Sequence, residues 1–266
     1  MPIVNAGGAR FGYDLDGEGE TLVLLHEIGG TRRSWAPVIP ALAKRFRVLA
    51  YDQRGCGQSD PIIGEFSLAT HIVDLRTLLA ALGLRGPLHL AGDAIGTALA
   101  VRYATTFPGT VASLVLACPA LSVSEDRKDY LAKRAARVVE EGMASTVEGT
   151  LANSYPPIVQ RDADAYAAYR ERFLANDPKS YAAINLAFAH FDATPDLPRL
   201  RCPTLVLAGH HDKLRPPVQV RAVAEAIPGA IYKEIDSAHI MPMQAPGDMA
   251  TAMLAFYERF APKSAA

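Results

Sequence analysis

Leu88-His89-Leu90-Ala91-Gly92-Asp93-Ala94-Ile95-Gly96 reads as an apolar strand that runs into a sharp turn and on into a helix. Small residues at both ends of Gly92–Gly96 let the chain reverse tightly and lift the middle side chain above the edge of a sheet, as in a nucleophile elbow. Alanine stands here where such an elbow carries its nucleophilic serine. Either Ala94 marks the removal of a serine from an otherwise complete site, or the chemistry proceeds without a side-chain nucleophile.

Outward from the elbow, short apolar runs recur at Leu22 to Leu25, Val48 to Tyr51, Leu114 to Ala117 and Leu205 to Ala208, and strand signals continue through Ile231 to Ile235. Each ends in a glycine, proline or polar turn, and most lead into a helical pattern, so the alternation predicts a mainly parallel sheet with helices on both faces. Ser67 to Leu82 carries Leu68, Ile72, Leu75, Leu79 and Leu82 on one helical stripe, with Ser67 placed to cap it. Between Leu121 and Leu200 strand signals stop, and Ala-, Tyr-, Arg- and Glu-rich helical stretches broken by Pro156-Pro157 and Asp177-Pro178 take over. The expected organisation is an α/β core of residues 1–121 and 200–266 with an inserted helical cap at 122–199, closing on a final helix from about Pro246.

Acyl transfer needs a nucleophile, a base, an acid that orients the base, and two backbone donors for the oxyanion. After the run Leu205 to Ala208, the loop Gly209-His210-His211-Asp212 brings Asp212 to a strand's carboxyl end. After Ile231 to Ile235, Asp236-Ser237-Ala238-His239 brings His239 to the facing loop, where a carboxylate can fix the imidazole tautomer. Asp236 is the rival acid, but it precedes His239 too closely to reach its far side. The oxyanion donors expected are the N–H groups of Ile95, after the elbow residue, and of Ile28 in the loop His26-Glu27-Ile28-Gly29-Gly30.

These stretches, with Tyr51-Asp52-Gln53-Arg54-Gly55-Cys56-Gly57-Gln58-Ser59 and Gln244-Ala245-Pro246, make the chain from about residue 10 to 260 resemble the α/β-hydrolase superfamily, especially 3-oxoadipate enol-lactonases. The resemblance implies the α/β-hydrolase fold and cofactor-free hydrolysis of a small ester or lactone through a nucleophile–His239–Asp212 triad. The aminoacrylate or carbamate hydrolases of pyrimidine breakdown are similar along the whole chain and can themselves carry alanine at the elbow, which adds amide-type substrates. Two departures stand out: Ala94, and Glu27 where many relatives have glycine. Dehalogenases of this fold place an aspartate nucleophile at the central elbow position, and Asp93 lies one residue early for that role.

The leading expectation is a triad hydrolase disarmed at Ala94. Its rivals are a serine-free hydrolase or lyase in which His239 and Asp212 activate water, a cofactor-free oxygenase relying on the same pair, and a non-catalytic small-molecule receptor. Arg32 and Arg33 are candidate binders of a substrate carboxylate through bidentate guanidinium geometry. Glu27, Trp35 and Asp93 are further candidate substrate contacts, while Arg54 reads as a turn brace. Tyr155, Phe173, Tyr181, Phe188 and Phe191 are expected either to line the pocket or to fill the cap core.

A formal net charge of −1 with interspersed acids and bases argues against an extended nucleic-acid or anionic-membrane surface, leaving a small molecule as the expected partner. No apolar run approaches the ~18 residues of a membrane span, and no basic segment with an apolar run opens the chain. Cys56, Cys118 and Cys202 are odd in number and far apart, which fits a reducing cytoplasm. No metal is expected, since the adjacent His210 and His211 point apart in an extended segment. A homodimer is compatible with the sequence.

Overall fold

The computed structural model describes residues 2–260. An eight-stranded sheet has the order β1-β2-β4-β3-β5-β6-β7-β8. Its strands are β1 Ile3–Ala6, β2 Ala9–Asp16, β3 Thr21–Leu25, β4 Arg47–Tyr51, β5 Leu88–Asp93, β6 Val111–Ala117, β7 Thr204–Gly209 and β8 Ile231–Ile235. All neighbours from β4 through β8 are parallel, whereas β1 and β2 form an antiparallel hairpin whose second strand pairs with β4. This is the α/β-hydrolase architecture expected from the sequence.

The central strands are apolar throughout because both faces are covered. In β3, Val23 and Leu25 enter one core with α2 (Leu68–Ala81) and α3 (Ile95–Thr106). Leu22 and Leu24 enter the opposite core with Trp35 and with Met249 and Met253 of the final helix. The other helices are α1 Ile39–Leu42, α4 Glu125–Glu141, α5 Ala144–Ser154, α6 Ala163–Leu174, α7 Pro178–Ala189, α8 Pro217–Glu225, α9 Met241–Gln244 and α10 Pro246–Phe260. Helices α4 to α7 all lie between β6 and β7, and a third core joins them to the loop after β8 through Val147, Leu151, Tyr169, Phe173, Ala238 and Ile240.

The structure differs from the sequence pattern at two places. The β1–β2 hairpin escaped the sequence reading because β1 is largely exposed and β2 alternates apolar residues with Arg10, Asp14 and Asp16, so neither makes an apolar run. Ser67 occupies the cap position of α2 in an extended conformation, but its side chain makes no capping hydrogen bond; its carbonyl accepts from Thr70 N–H at 2.9 Å. Among the described residues, no helix is long and apolar enough to cross a membrane.

The elbow joins β5 to α3. Ala94 sits at φ 49°, ψ −116°, a conformation that costs a residue bearing Cβ on the order of 1–3 kcal/mol. Four hydrogen bonds hold it there: its N–H donates to Ala117 O (3.0 Å), and its carbonyl accepts from Thr97 N–H (3.1 Å), Thr97 Oγ1–H (2.6 Å) and Ala120 N–H (3.2 Å). The flanking glycines are required by contact rather than by φ. A Cβ on Gly92 would lie 2.3 Å from the Gly96 carbonyl carbon, and one on Gly96 would lie 2.2 Å from the Leu25 carbonyl oxygen. Gly96→Ala therefore forces β3 and α3 apart, and is expected to cost about 3 kcal/mol, read as a melting temperature lower by several degrees.

Candidate active site

The acid and histidine loops are brought together by close backbone packing at the carboxyl ends of β7 and β8. A Cβ on Gly209 would meet Ala238 O at 2.5 Å, so only glycine lets the two loops approach this closely. Gln244 of α9 fixes the histidine loop: its Oε1 accepts from Ala238 N–H (2.7 Å) while its Nε2 donates to Ser154 O at the end of α5 (2.8 Å). His239 Nδ1–H then donates to Asp212 Oδ2 at 2.8 Å, which leaves Nε2 as the basic nitrogen of the neutral ring. Asp212 Oδ1 accepts from the N–H groups of Leu214 (2.8 Å) and Arg215 (3.0 Å). Burial alone would raise the Asp212 carboxyl pKa, but His239 and these amides outweigh it and hold it below the ordinary carboxylate value.

Asp236, the rival acid, faces elsewhere and pairs with Arg161 (2.5 Å) and His211 (2.9 Å). His210 pairs with Glu234 at 3.0 Å, so the two adjacent histidines do diverge. Cys118 Sγ, Asp212 and His239 nonetheless offer three potential ligand atoms within 4.8 Å of one another, all from buried residues. His239 Nδ1 is already engaged by Asp212 in that cluster, and Cys118 Sγ donates to Ala238 O at 3.3 Å.

His239, Ala94, Ile28, Ile95 and Glu27 all line one cavity of about 160 Å³ beneath α4 to α7. That volume suits a molecule on the scale of benzene rather than a polymer. Ile95 is the first residue of α3, so its N–H has no partner within the helix and is available as an oxyanion donor.

Glu27 is almost fully buried. Its Oε1 accepts from Ser34 Oγ–H at 2.7 Å and from the Tyr169 hydroxyl of α6 at 3.0 Å, whereas Oε2 is buried without a hydrogen-bond partner. The carboxylate folds back over Gly30, where a Cβ would meet Oε1 at 2.0 Å. The loop below is pinned by His26, whose Nδ1–H donates to Glu27 O (2.8 Å) and whose Nε2 accepts from Gln53 N–H (3.1 Å).

The other sequence candidates are placed differently. Arg32 is a buried brace: it binds Asp52, donates to Asp14 at 2.9 Å and reaches Gln58 Oε1 at 2.9 Å. Arg32 and Arg33 line a separate cleft with Arg172 and Asn176 and do not line the Ala94 cavity. Trp35 is fully buried in the core with α10, and Asp93 is fully buried behind the elbow, so neither lines the cavity. Arg54 clamps Asp74 through two hydrogen bonds of 2.8 and 2.5 Å, as its reading as a brace expects. Tyr181 and Phe188 line the cavity, while Tyr155 and Phe173 belong to the core of the helical segment and Phe191 packs near Arg102.

Sequence reading missed three cavity arginines. Arg127 and Arg134 lie seven residues apart on one face of α4 with Leu131 between them, and Arg215 follows the Asp212 loop. None is paired with a carboxylate among the described residues; Arg134 instead donates to Tyr181 and Thr150, and Arg215 to the carbonyls of Leu214 and Ser122. Burial lowers the Arg215 pKa, with nearby Arg127 adding to the effect and Asp212 opposing it. The i, i+7 spacing was the available signal, but an arginine pair on a helix usually marks a solvated face.

A family model described as the alpha/beta hydrolase fold matches residues 20–246, and the chain belongs to that family. It is 30% identical over 239 residues to the putative carbamate hydrolase RutD of Azorhizobium caulinodans, covering 89% of this chain and 90% of the relative. A malate-bound thermophilic esterase from Thermogutta terrifontis superposes with a TM-score of 0.92 at 27% identity, over 98% of this chain and 99% of the esterase. The enol-lactonase of Burkholderia xenovorans LB400 superposes with a TM-score of 0.91, also at 27% identity, over 97% of this chain and all (100%) of the lactonase. All three of these proteins carry hydrolase names, and this chain shares their α/β-hydrolase family.

Asp93 shows the electrostatic cost of this arrangement. Burial first, then the negative charges of Glu27 and Asp212, push its pKa well above the usual carboxylate value, and Met241 N–H opposes this without reaching hydrogen-bonding geometry. A folded-state pKa raised this way contributes stability that is full below the unfolded aspartate range and is lost as pH rises toward the folded value. Asp93→Asn removes that titration. Its melting temperature is expected to match the native chain's near about pH 4 and to exceed it by several degrees near pH 8, as thermal melts across that range will check.

Proposed function

We propose that this chain hydrolyses a small anionic ester, lactone or amide-type compound without a side-chain nucleophile. The observation that carries the reading is His239, held by Asp212 through a 2.8 Å hydrogen bond and lining a cavity that Ala94 also lines. His239 Nε2 takes a proton from water, and the resulting hydroxide attacks a carbonyl carbon whose oxygen is held by the N–H groups of Ile28 and Ile95. Asp212 stabilises the imidazolium that forms.

Arg134 and Arg215, half-buried, and the exposed Arg127 supply the anion preference, because a cavity lined by guanidinium groups without a carboxylate partner among the described residues favours an anionic ligand. The malate in the Thermogutta structure supports a small carboxylated ligand, and the RutD name supports a C–N or carbamate bond. In this reading residues 122–199 act as the cap that carries two of the three arginines and closes the site.

A second reading, a triad hydrolase disarmed by loss of its serine, is favoured by the elbow itself. Ala94 keeps the strained φ of 49° that a serine nucleophile would need, with both glycines in place.

Short acyl esters, lactones and carbamates presented to the native chain, His239→Ala and Ala94→Ser at neutral pH separate the two. The water mechanism predicts native turnover that falls by about 10²–10⁴-fold in His239→Ala and gains little from Ala94→Ser. Restoration by serine of several orders of magnitude, with an acyl-enzyme visible by intact mass, would instead establish the disarmed triad. Arg134→Ala is expected to raise KM for a carboxylated substrate by ~10-fold or more with kcat little changed, and to leave a neutral analogue unaffected.

A further inference from the structure

Two residues of the cavity depart together from what a serine hydrolase needs: Ala94 lacks the hydroxyl, and Glu27 brings a carboxylate into the oxyanion loop. Glu27 is not a stray surface acid. Ser34 and Tyr169 both donate to Oε1, Gly30 gives it room, and the remaining acceptor, Oε2, is buried without a partner. A buried carboxylate oxygen left without a donor is costly, so its complement is a hydrogen-bond donor in the bound state.

We propose that Glu27 holds the attacking water, Oε2 accepting one of its hydrogens while His239 Nε2 takes the other, and that Glu27 and Ala94 therefore work as a coupled pair. The inference rests on the water-based reading above. In the step, the O–H bond facing His239 breaks and its proton moves to Nε2, while the freed electron pair forms the bond to the carbonyl carbon. The carbonyl π pair moves onto the oxygen facing Ile28 and Ile95. When that pair returns, the C–O or C–N bond breaks and the leaving atom takes the proton from His239. The second water hydrogen stays on the attacking oxygen throughout, so Glu27 keeps its donor until the carboxylic product ionises and leaves.

Serine chemistry would fail in the same environment for a specific reason. Once a serine Oγ has attacked, it carries no hydrogen, and Oε2 would face an acceptor with another acceptor. Glu27 thus favours a water nucleophile and opposes a serine one, which predicts effects of opposite sign in the two backgrounds.

Four chains test this: native, Glu27→Gln, Ala94→Ser and Ala94→Ser/Glu27→Gln. Glutamine keeps an oxygen for Ser34 and Tyr169 but places a donor amide where Oε2 lies. Turnover of p-nitrophenyl acetate and of a carboxylated p-nitrophenyl ester is measured, together with the rate at which a fluorophosphonate labels the introduced serine. In the native background, Glu27→Gln is expected to lower kcat by about 100-fold with KM little changed. In the Ala94→Ser background it is expected to speed labelling by ~10-fold or more, within the range attributed to one oxyanion-site interaction.

Loss in both backgrounds would mean that Glu27 only supports the fold, and no change in either would mean that it touches no reacting atom; each overturns the proposal. If the native chain depends on His239 but keeps its kcat in Glu27→Gln, the water reading stands and this inference falls. If no His239-dependent turnover is found, the water reading fails, while the sign of the labelling effect still decides whether Glu27 opposes a serine nucleophile. Should Glu27→Gln fold poorly, Glu27→Asp keeps the charge but withdraws it from the cavity, and the same opposite signs are expected.

Discussion

The strained turn at Ala94 is the constraint on which the rest of the site depends. A residue at φ 49° survives there because Ala117, Thr97 and Ala120 hold its backbone, and because Gly92 and Gly96 allow α3 to start almost in contact with the end of β3. That contact places Ile95, the first residue of α3, on the wall of the same cavity that Ile28 in the loop after β3 lines. Remove the close approach and the Ile28 and Ile95 amides no longer share a cavity wall. The chain thus retains a geometry whose usual purpose is to present a nucleophile, while presenting a methyl group.

The charge distribution around that methyl group follows a consistent pattern. Glu27, Asp93 and Asp212 are buried on the core side of the cavity, and Arg127, Arg134 and Arg215 line it from α4 and the acid loop. The carboxyl groups differ in how they are satisfied. Asp212 has His239 and two amides, Glu27 has two hydroxyl donors on a single oxygen, and Asp93 has none in hydrogen-bonding geometry. Their pKa directions follow from this: Asp212 is lowered by its partners and Asp93 raised by burial and its neighbours' charge. The Tyr169–Glu27 bond also ties α6 directly to the loop after β3, so the helical segment and the cavity wall are mechanically joined.

The parts of this structure legible in the chain were those written in local pattern. Apolar runs ending in turns marked β3 to β7 to within a few residues, a weaker strand signal marked β8, and the order elbow, Asp212, His239 placed the aspartate and histidine on facing loops. The β1–β2 hairpin was not legible, because its strands hide in polar alternation. The bracing of Arg32 was not legible for a related reason: nothing local reveals that Asp14 of β2 and Asp52, just after β4, converge on it. Arg127, Arg134 and Arg215 were overlooked because an arginine on a helix face looks the same whether it meets solvent or a cavity.

By itself, the sequence determined the sheet's parallel core, the tight elbow, and the identity of the residue at its apex, since hydrophobic periodicity and glycine placement act over a few neighbouring residues. Tertiary structure alone decided that Glu27 lies against Ser34 and Tyr169, that one of its oxygens is left without a donor, and that three arginines face one cavity. Those relations join residues up to 142 positions apart, and hydrogen-bond satisfaction and electrostatic pairing exist only once the folded chain has set the distances.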